Sequence, residues 1–156
     1  MITDGIRQVH IVNNIKFPTA YGNDDGIVLT RTLSGTTLKA LLATGNNVAM
    51  QFMAGDRIVD ALLTISTASG VVATINVGWN AAFSTVDVDG LLSAVDSNAT
   101  SMKRVANGDS STAALGGVLC TTDGGAVTIG ASSTLVASDI VASLSVMYVK
   151  ASPALT

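Results

Sequence analysis

Hydrophobic and polar residues alternate through residues 48–80, VAMQFMAGDRIVDALLTISTASGVVATINVGWN. In the run 57–67, Val59, Ala61, Leu63 and Ile65 fall on one face. In the run 71–79, Val71, Ala73, Ile75, Val77 and Trp79 do so, with Thr74, Asn76 and Gly78 opposite. A period of two predicts strands that each press one face against a core. The run 48–53 precedes them, and Ala54-Gly55-Asp56 and Ala68-Ser69-Gly70 separate the three. Small turn residues between alternating runs predict a three-stranded antiparallel meander. Nothing in this stretch is equipped for chemistry.

The remaining elements follow from the same grammar. Residues 27–33 read as the first strand of the body. Residues 36–43 are ambiguous: Leu38, Leu41 and Leu42 have helical spacing, yet glycine-rich flanks bracket a strand equally well. Strand is the reading that matches their surroundings. Residues 81–111 are polar and irregular, with a short helical turn at 89–96 and a loop from Lys103 onward. Residues 113–122 and 126–130 read as a hairpin about Asp123-Gly124-Gly125, with Gly116-Gly117 marking a bulge or bend. In the closing run 140–150, Ile140, Ala142, Leu144, Val146 and Tyr148 share one face. The expectation is an all-β, single-domain jelly roll or β-sandwich of about eight antiparallel strands.

The ends differ from this body. Residues 6–15, IRQVHIVNNI, could form one strand, but residues 16–26 hold Pro18, Gly22 and an Asn-Asp-Asp-Gly cluster. Irregular stretches of this length inside compact domains are uncommon and often functional. Residues 1–26 therefore read as an extended arm lying over the body or over a neighbouring subunit. Ile6, Val9, Ile11, Phe17 and Tyr21 are its candidate partner-binding side chains. The body is 27–150, and 151–156 is a short tail.

Composition sharpens the picture. A chain of 156 residues can bury about 68–70% of its unfolded surface, so neither disulfide nor metal is required to hold it. It is 48% hydrophobic but 4% aromatic, so small branched side chains build the core. All of its 11 acidic residues are aspartate, which favours caps and turns over helix. Net charge is −3, and Lys103-Arg104 is the sole adjacent basic pair. That is no footprint for nucleic acid. No apolar run reaches the roughly 18 residues of a membrane span, and the N-terminus lacks a signal-peptide pattern.

Candidate chemistry is sparse. His10 is the single histidine, and a catalytic triad would have to recruit it from the arm without a G-x-S-x-G elbow to present a serine. Cys120 is the single cysteine, between apolar neighbours that suit a buried structural thiol. With one Cys and one His, the usual four-ligand zinc site cannot form within one chain. Asp87-Val88-Asp89-Gly90 lacks the third ligand and distal Glu of an EF-hand loop, and Asn23-Asp24-Asp25-Gly26 reads as a turn. No phosphate-binding glycine motif precedes a helix. Trp79 could be a platform for sugar, but it continues the inward alternation of its strand, so packing is the expected role. The expectation is no catalytic residue, no metal and no cofactor.

Between residues 54 and 150 the chain resembles small tailed-bacteriophage virion proteins of the head-decoration, or cement, type. The residues carrying the likeness are Ala54-Gly55-Asp56-Arg57-Ile58, Ala68-Ser69-Gly70, Asn76-Val77-Gly78, Asp89-Gly90-Leu91-Leu92 and Met147-Tyr148-Val149-Lys150. The resemblance implies a jelly-roll body, commonly a homotrimer, at local threefold positions where it clamps neighbouring major capsid protein subunits. Nucleic acid and membrane are not expected partners. Such a protein would be made in the host cytoplasm and reside on the capsid surface. The alternative is a carbohydrate- or receptor-binding β-sandwich from a phage tail fibre or a secreted protein.

Overall fold

The computed structural model describes residues 28–43, 47–105, 117–133 and 139–150. The proposed arm, with Ile6, Val9, Ile11, Phe17 and Tyr21, lies outside the described residues, as does the tail. The described chain runs β1 (Val28–Ser34), α1 (Gly35–Ala43), β2 (Asn47–Phe52), β3 (Arg57–Thr67), β4 (Thr74–Trp79), β5 (Asp87–Asp96), β6 (Ser101–Arg104), β7 (Val118–Leu119), β8 (Gly125–Ala131) and β9 (Val141–Val149). One sheet has the order β1-β9-β3-β6, with β7 also paired to β3; the other has the order β2-β8-β4-β5. Every pairing is antiparallel. The two sheets form a β-sandwich.

The predicted meander is corrected by this topology. β2 pairs with β8, β3 with β9, and β4 with β5 and β8, so the three runs never pair with one another. Each turn between them is a corner that carries the chain from one sheet to the other. Alternation fixes which face a strand buries but not its neighbour: β2 and β3 meet their apolar needs across the sandwich, not side by side. The first corner is held by backbone bonds, Asp56 N–H to the Met53 carbonyl at 3.0 Å and Gly55 N–H to the Cys120 carbonyl at 2.7 Å. At the second, the Ser97 hydroxyl donates to the Ala73 carbonyl at 2.9 Å and Ser69 donates to Ser97 at 3.1 Å, pinning the corner to the end of β5.

Residues 35–43 form a helix, not the expected strand. Gly35 has φ +65° and turns the chain out of β1. Leu38 and Leu42 are fully buried, and Asn47 donates from Nδ2 to the Leu41 carbonyl at 2.8 Å. A nine-residue helix is marginal alone, and here packing of its apolar stripe sustains it. It packs chiefly against β9 and β8 and closes one end of the sandwich.

Two further expectations change. Residues 87–96 are strand rather than a helical turn, and Lys103-Arg104 ends strand β6 rather than opening a loop. Among the described residues the hairpin about Asp123-Gly124-Gly125 does not form, because β7 pairs with β3 whereas β8 pairs with β2 and β4; residues 113–116 of its first strand lie outside the described residues. A single glycine turn directs the chain equally well into the facing sheet. Within β3, the register slips between Ile58 and Asp60, so Val59 is extruded and 36% exposed while Ala61, Leu63 and Ile65 point inward. In β9 the expected face, Ile140, Ala142, Leu144, Val146 and Tyr148, is buried throughout.

Candidate interaction surface

Inward residues of β3, β4, β8 and β9 fill the core with Leu, Ile and Val, so any functional chemistry must come from the outer faces, edges and ends. Register places the outward residues of the first sheet in cross-strand rows. One row runs Thr32, Ser145, Leu62, Arg104; the next runs Ser34, Ser143, Thr64, Met102. Thr32 and Ser145 share a hydroxyl–hydroxyl hydrogen bond of 2.8 Å. Asp60, 6% exposed, pairs with Arg104 and accepts the Ala61 N–H at 2.9 Å. Met102 and Val141 stand out at 64% and 51% exposure. The face is hydroxyl-rich, the Asp60–Arg104 ion pair links two of its own strands, and apolar side chains punctuate it. Such a surface loses little on desolvation and suits contact with another protein.

The four described aromatic residues gather at the end opposite α1. Phe52 packs edge-on against Tyr148 at 5.1 Å and Phe83 at 6.0 Å. Arg31, on the inward side of edge strand β1, lies 4.9 Å from the centroids of both Phe52 and Tyr148. Nearby, an open groove of about 480 Å³ is lined by Trp79, Phe83, Val86, Asp87, Leu119 and Thr121 among others. Three of its polar side chains bond within the protein: Trp79 Nε1 donates to the Thr85 carbonyl at 3.1 Å, Thr121 Oγ1 to the Ala82 carbonyl at 2.9 Å, and Asp87 Oδ1 accepts the Asp89 N–H at 3.3 Å. Among the described residues no nucleophile, base and orienting group converge there.

Trp79 is buried, as expected from its alternation, and Phe52, Phe83 and Tyr148 are buried with it. Among the described residues there is therefore no exposed ring to serve as a sugar platform. Cys120 is a fully buried free thiol whose Sγ donates to the Thr122 carbonyl at 3.1 Å. Burial pushes its pKa up, the Asp56 and Asp123 carboxylates add to the rise, and backbone hydrogen bonds from the Thr122 and Gly125 region oppose it. Asp89 Oδ2 accepts the Ser93 hydroxyl at 2.9 Å, so the Asp87–Asp89 pair serves the local backbone and side chains. Among the described residues no three His, Cys or Asp side chains come together as a metal site. His10 and the 23–26 cluster lie outside the described residues.

Sequence reading missed Arg31 and the outward row of β6. The alternation of 27–33 sets Arg31 on one face with Ile27 and Leu29, but nothing nearby in sequence marks Phe52 and Tyr148 as its partners. The β6 run is only four residues long, too short for its alternation to register.

No family model matches the chain, and no curated protein matches it. Among solved structures, it is similar to a chain of the structure described as "Cyanophage Pam1 capsid asymmetric unit". Identity is 16%, the match covers 85% of this chain and 91% of that one, and the TM-score is 0.51. At that identity the likeness is one of fold.

Proposed function

We propose that this chain is a non-catalytic structural protein of a phage virion, bound to the outer surface of the capsid, where it bridges neighbouring major capsid protein subunits as a homotrimer. The observation that carries the reading is the shared fold with a chain of a cyanophage capsid, aligned over most of both chains. It agrees with the resemblance carried by residues 54–150. The hydroxyl-rich outer face supports it too, because that face presents hydroxyl and apolar contact area to a partner protein.

Three rotationally related copies would offer one patch three times, so modest single contacts add up through avidity. The arm, residues 1–26, would extend the grip by main-chain hydrogen bonding to a neighbour. Light scattering should give three times the chain mass, and the protein should co-sediment with phage heads and raise the temperature at which they rupture. Deleting residues 1–26 should weaken co-sedimentation while leaving the circular dichroism of the body intact. A monomer that never associates with heads defeats the proposal.

A further inference from the structure

We infer that the outer edge of β1 is the acceptor for an extended segment, residues 6–15, contributed by a second copy of the chain. The inference rests on the trimeric reading above and names the place where copies join.

Among the described residues four edges of the sheets are open, at β1 and at β6 (continued by the two-residue β7) in one sheet, and at β2 and β5 in the other. Unpaired edges attract other strands, and proteins blunt them with bulges, charge or shortness. Three of the four are blunted here. β2 carries a register shift between Val48 and Met50, and its Gln51 carbonyl is taken by Arg31. β5 is broken by two register shifts, holds Ala94 at φ +50°, and bears Asp87, Asp89 and Asp96. β6 has four residues, two of them Lys103 and Arg104.

β1 has none of these devices. All seven of its residues pair with β9 in unbroken register, and among the described residues it is paired on that side alone. Its one charge, Arg31, is turned inward over Phe52 and Tyr148. Its outward residues include Thr32 and Ser34, both uncharged and exposed. An edge this regular is built to be paired.

The occupant follows from the chain that leads into it. Twenty-seven residues precede Val28, and the one strand-like run among them is 6–15, long enough to cover β1. Residues 16–27 connect the two and include Pro18. Hairpin loops favour two to five residues, so a linker of this length is poorly suited to folding the run back on its own β1. Fully extended it reaches about 40 Å, enough to pass to an adjacent copy. In a closed ring each copy gives one segment and receives one, so every β1 edge is consumed and the assembly stops growing.

The test places a photo-crosslinker in the full-length protein, Thr32→p-benzoylphenylalanine, with Ser34→p-benzoylphenylalanine as the second variant should the first misfold. Isotope-labelled and unlabelled chains are unfolded together, refolded, irradiated and digested, and the adducts are mapped by mass spectrometry. Adducts to residues 6–15 that join a labelled to an unlabelled peptide, in about half of cases for an equal mixture, support exchange. Adducts to 6–15 within one isotope alone mean fold-back and overturn it, as do adducts that avoid 6–15 altogether. If the oligomer still binds heads in that event, the virion reading stands and this inference alone falls; mixed adducts without head binding would do the reverse.

Discussion

The guanidinium of Arg31 on β1 donates to the main-chain carbonyl of Gln51 on β2, tying the first strand of one sheet to the first strand of the other. The same group lies over Phe52 and Tyr148, so one side chain seals the seam between the β1 and β2 edges. Arg31→Met keeps most of the volume and removes the charge. Stability should fall by about 1–2 kcal/mol, from a half-exposed cation–π contact of about 0.5–1 kcal/mol and a solvent-accessible hydrogen bond of about 0.5–1.5 kcal/mol. Arg31→Lys should recover part of the loss, because an ammonium cannot present a planar face to two rings. Urea unfolding followed by circular dichroism measures both, and an unchanged midpoint in Arg31→Met would remove the seam argument.

Two glycines sit where no side chain fits. A Cβ on Gly78 would overlap the main chain of Asp87 and Val88, and one on Gly90 would overlap the Trp79 ring. Backbone and a buried indole cannot step aside cheaply. Gly78→Ala and Gly90→Ala should each cost about 1–3 kcal/mol or more through overpacking. Gly124 is a useful contrast: it has φ +84° but open space around its missing Cβ. Gly124→Ala should cost only the left-handed penalty, about 1–2 kcal/mol. Thermal melts of the three variants separate crowding from backbone strain.

How much of this was legible beforehand depended on what kind of information each element carries. The buried face of β9 was readable residue by residue, because alternation in a long, unbulged strand maps directly onto burial. β3 was readable only after its bulge, since one extra residue at Val59 reverses the phase and no side chain announces it. Partner choice was not readable at all. Ala54-Gly55-Asp56 and Asp123-Gly124-Gly125 have hairpin chemistry, yet both lead into the facing sheet, because turn residues permit a reversal without specifying which sheet receives it. α1 was misjudged because Leu38, Leu41 and Leu42 serve either period over so short a run. Arg31 depended on contacts 20 and more than 100 positions away, which local pattern cannot encode.

The helix that closes one end depends on two leucines. Leu42 is 0% exposed and Leu38 is 1% exposed. Leu42→Ala should destabilise by about 2–5 kcal/mol, the transfer and cavity cost of an emptied core site. Val72, 84% exposed on the second corner, supplies the control: Val72→Ala should stay within about 0.5 kcal/mol of the parent. Equal losses in the two variants would mean that α1 frays in solution and does not plug the sandwich.

Cys120 gives the chain a titratable core group at alkaline pH. Its thiol is fully buried, a Cβ on Gly125 would collide with its Sγ, and burial raises its pKa, with the Asp56 and Asp123 carboxylates reinforcing the shift. A raised folded-state pKa means that the native protein holds the proton more tightly than the unfolded chain does. The associated stability is therefore fully present below the unfolded thiol value, about 8.5, and is lost as pH rises through the folded value. Parent and Cys120→Ala melting temperatures should run parallel below that pH and converge above it, as the parent loses what the variant never had. Ellman's reagent at pH 8 should label the native thiol only as fast as the protein opens. Immediate labelling, or difference curves that stay flat to pH 10, would show that the thiol is not enclosed.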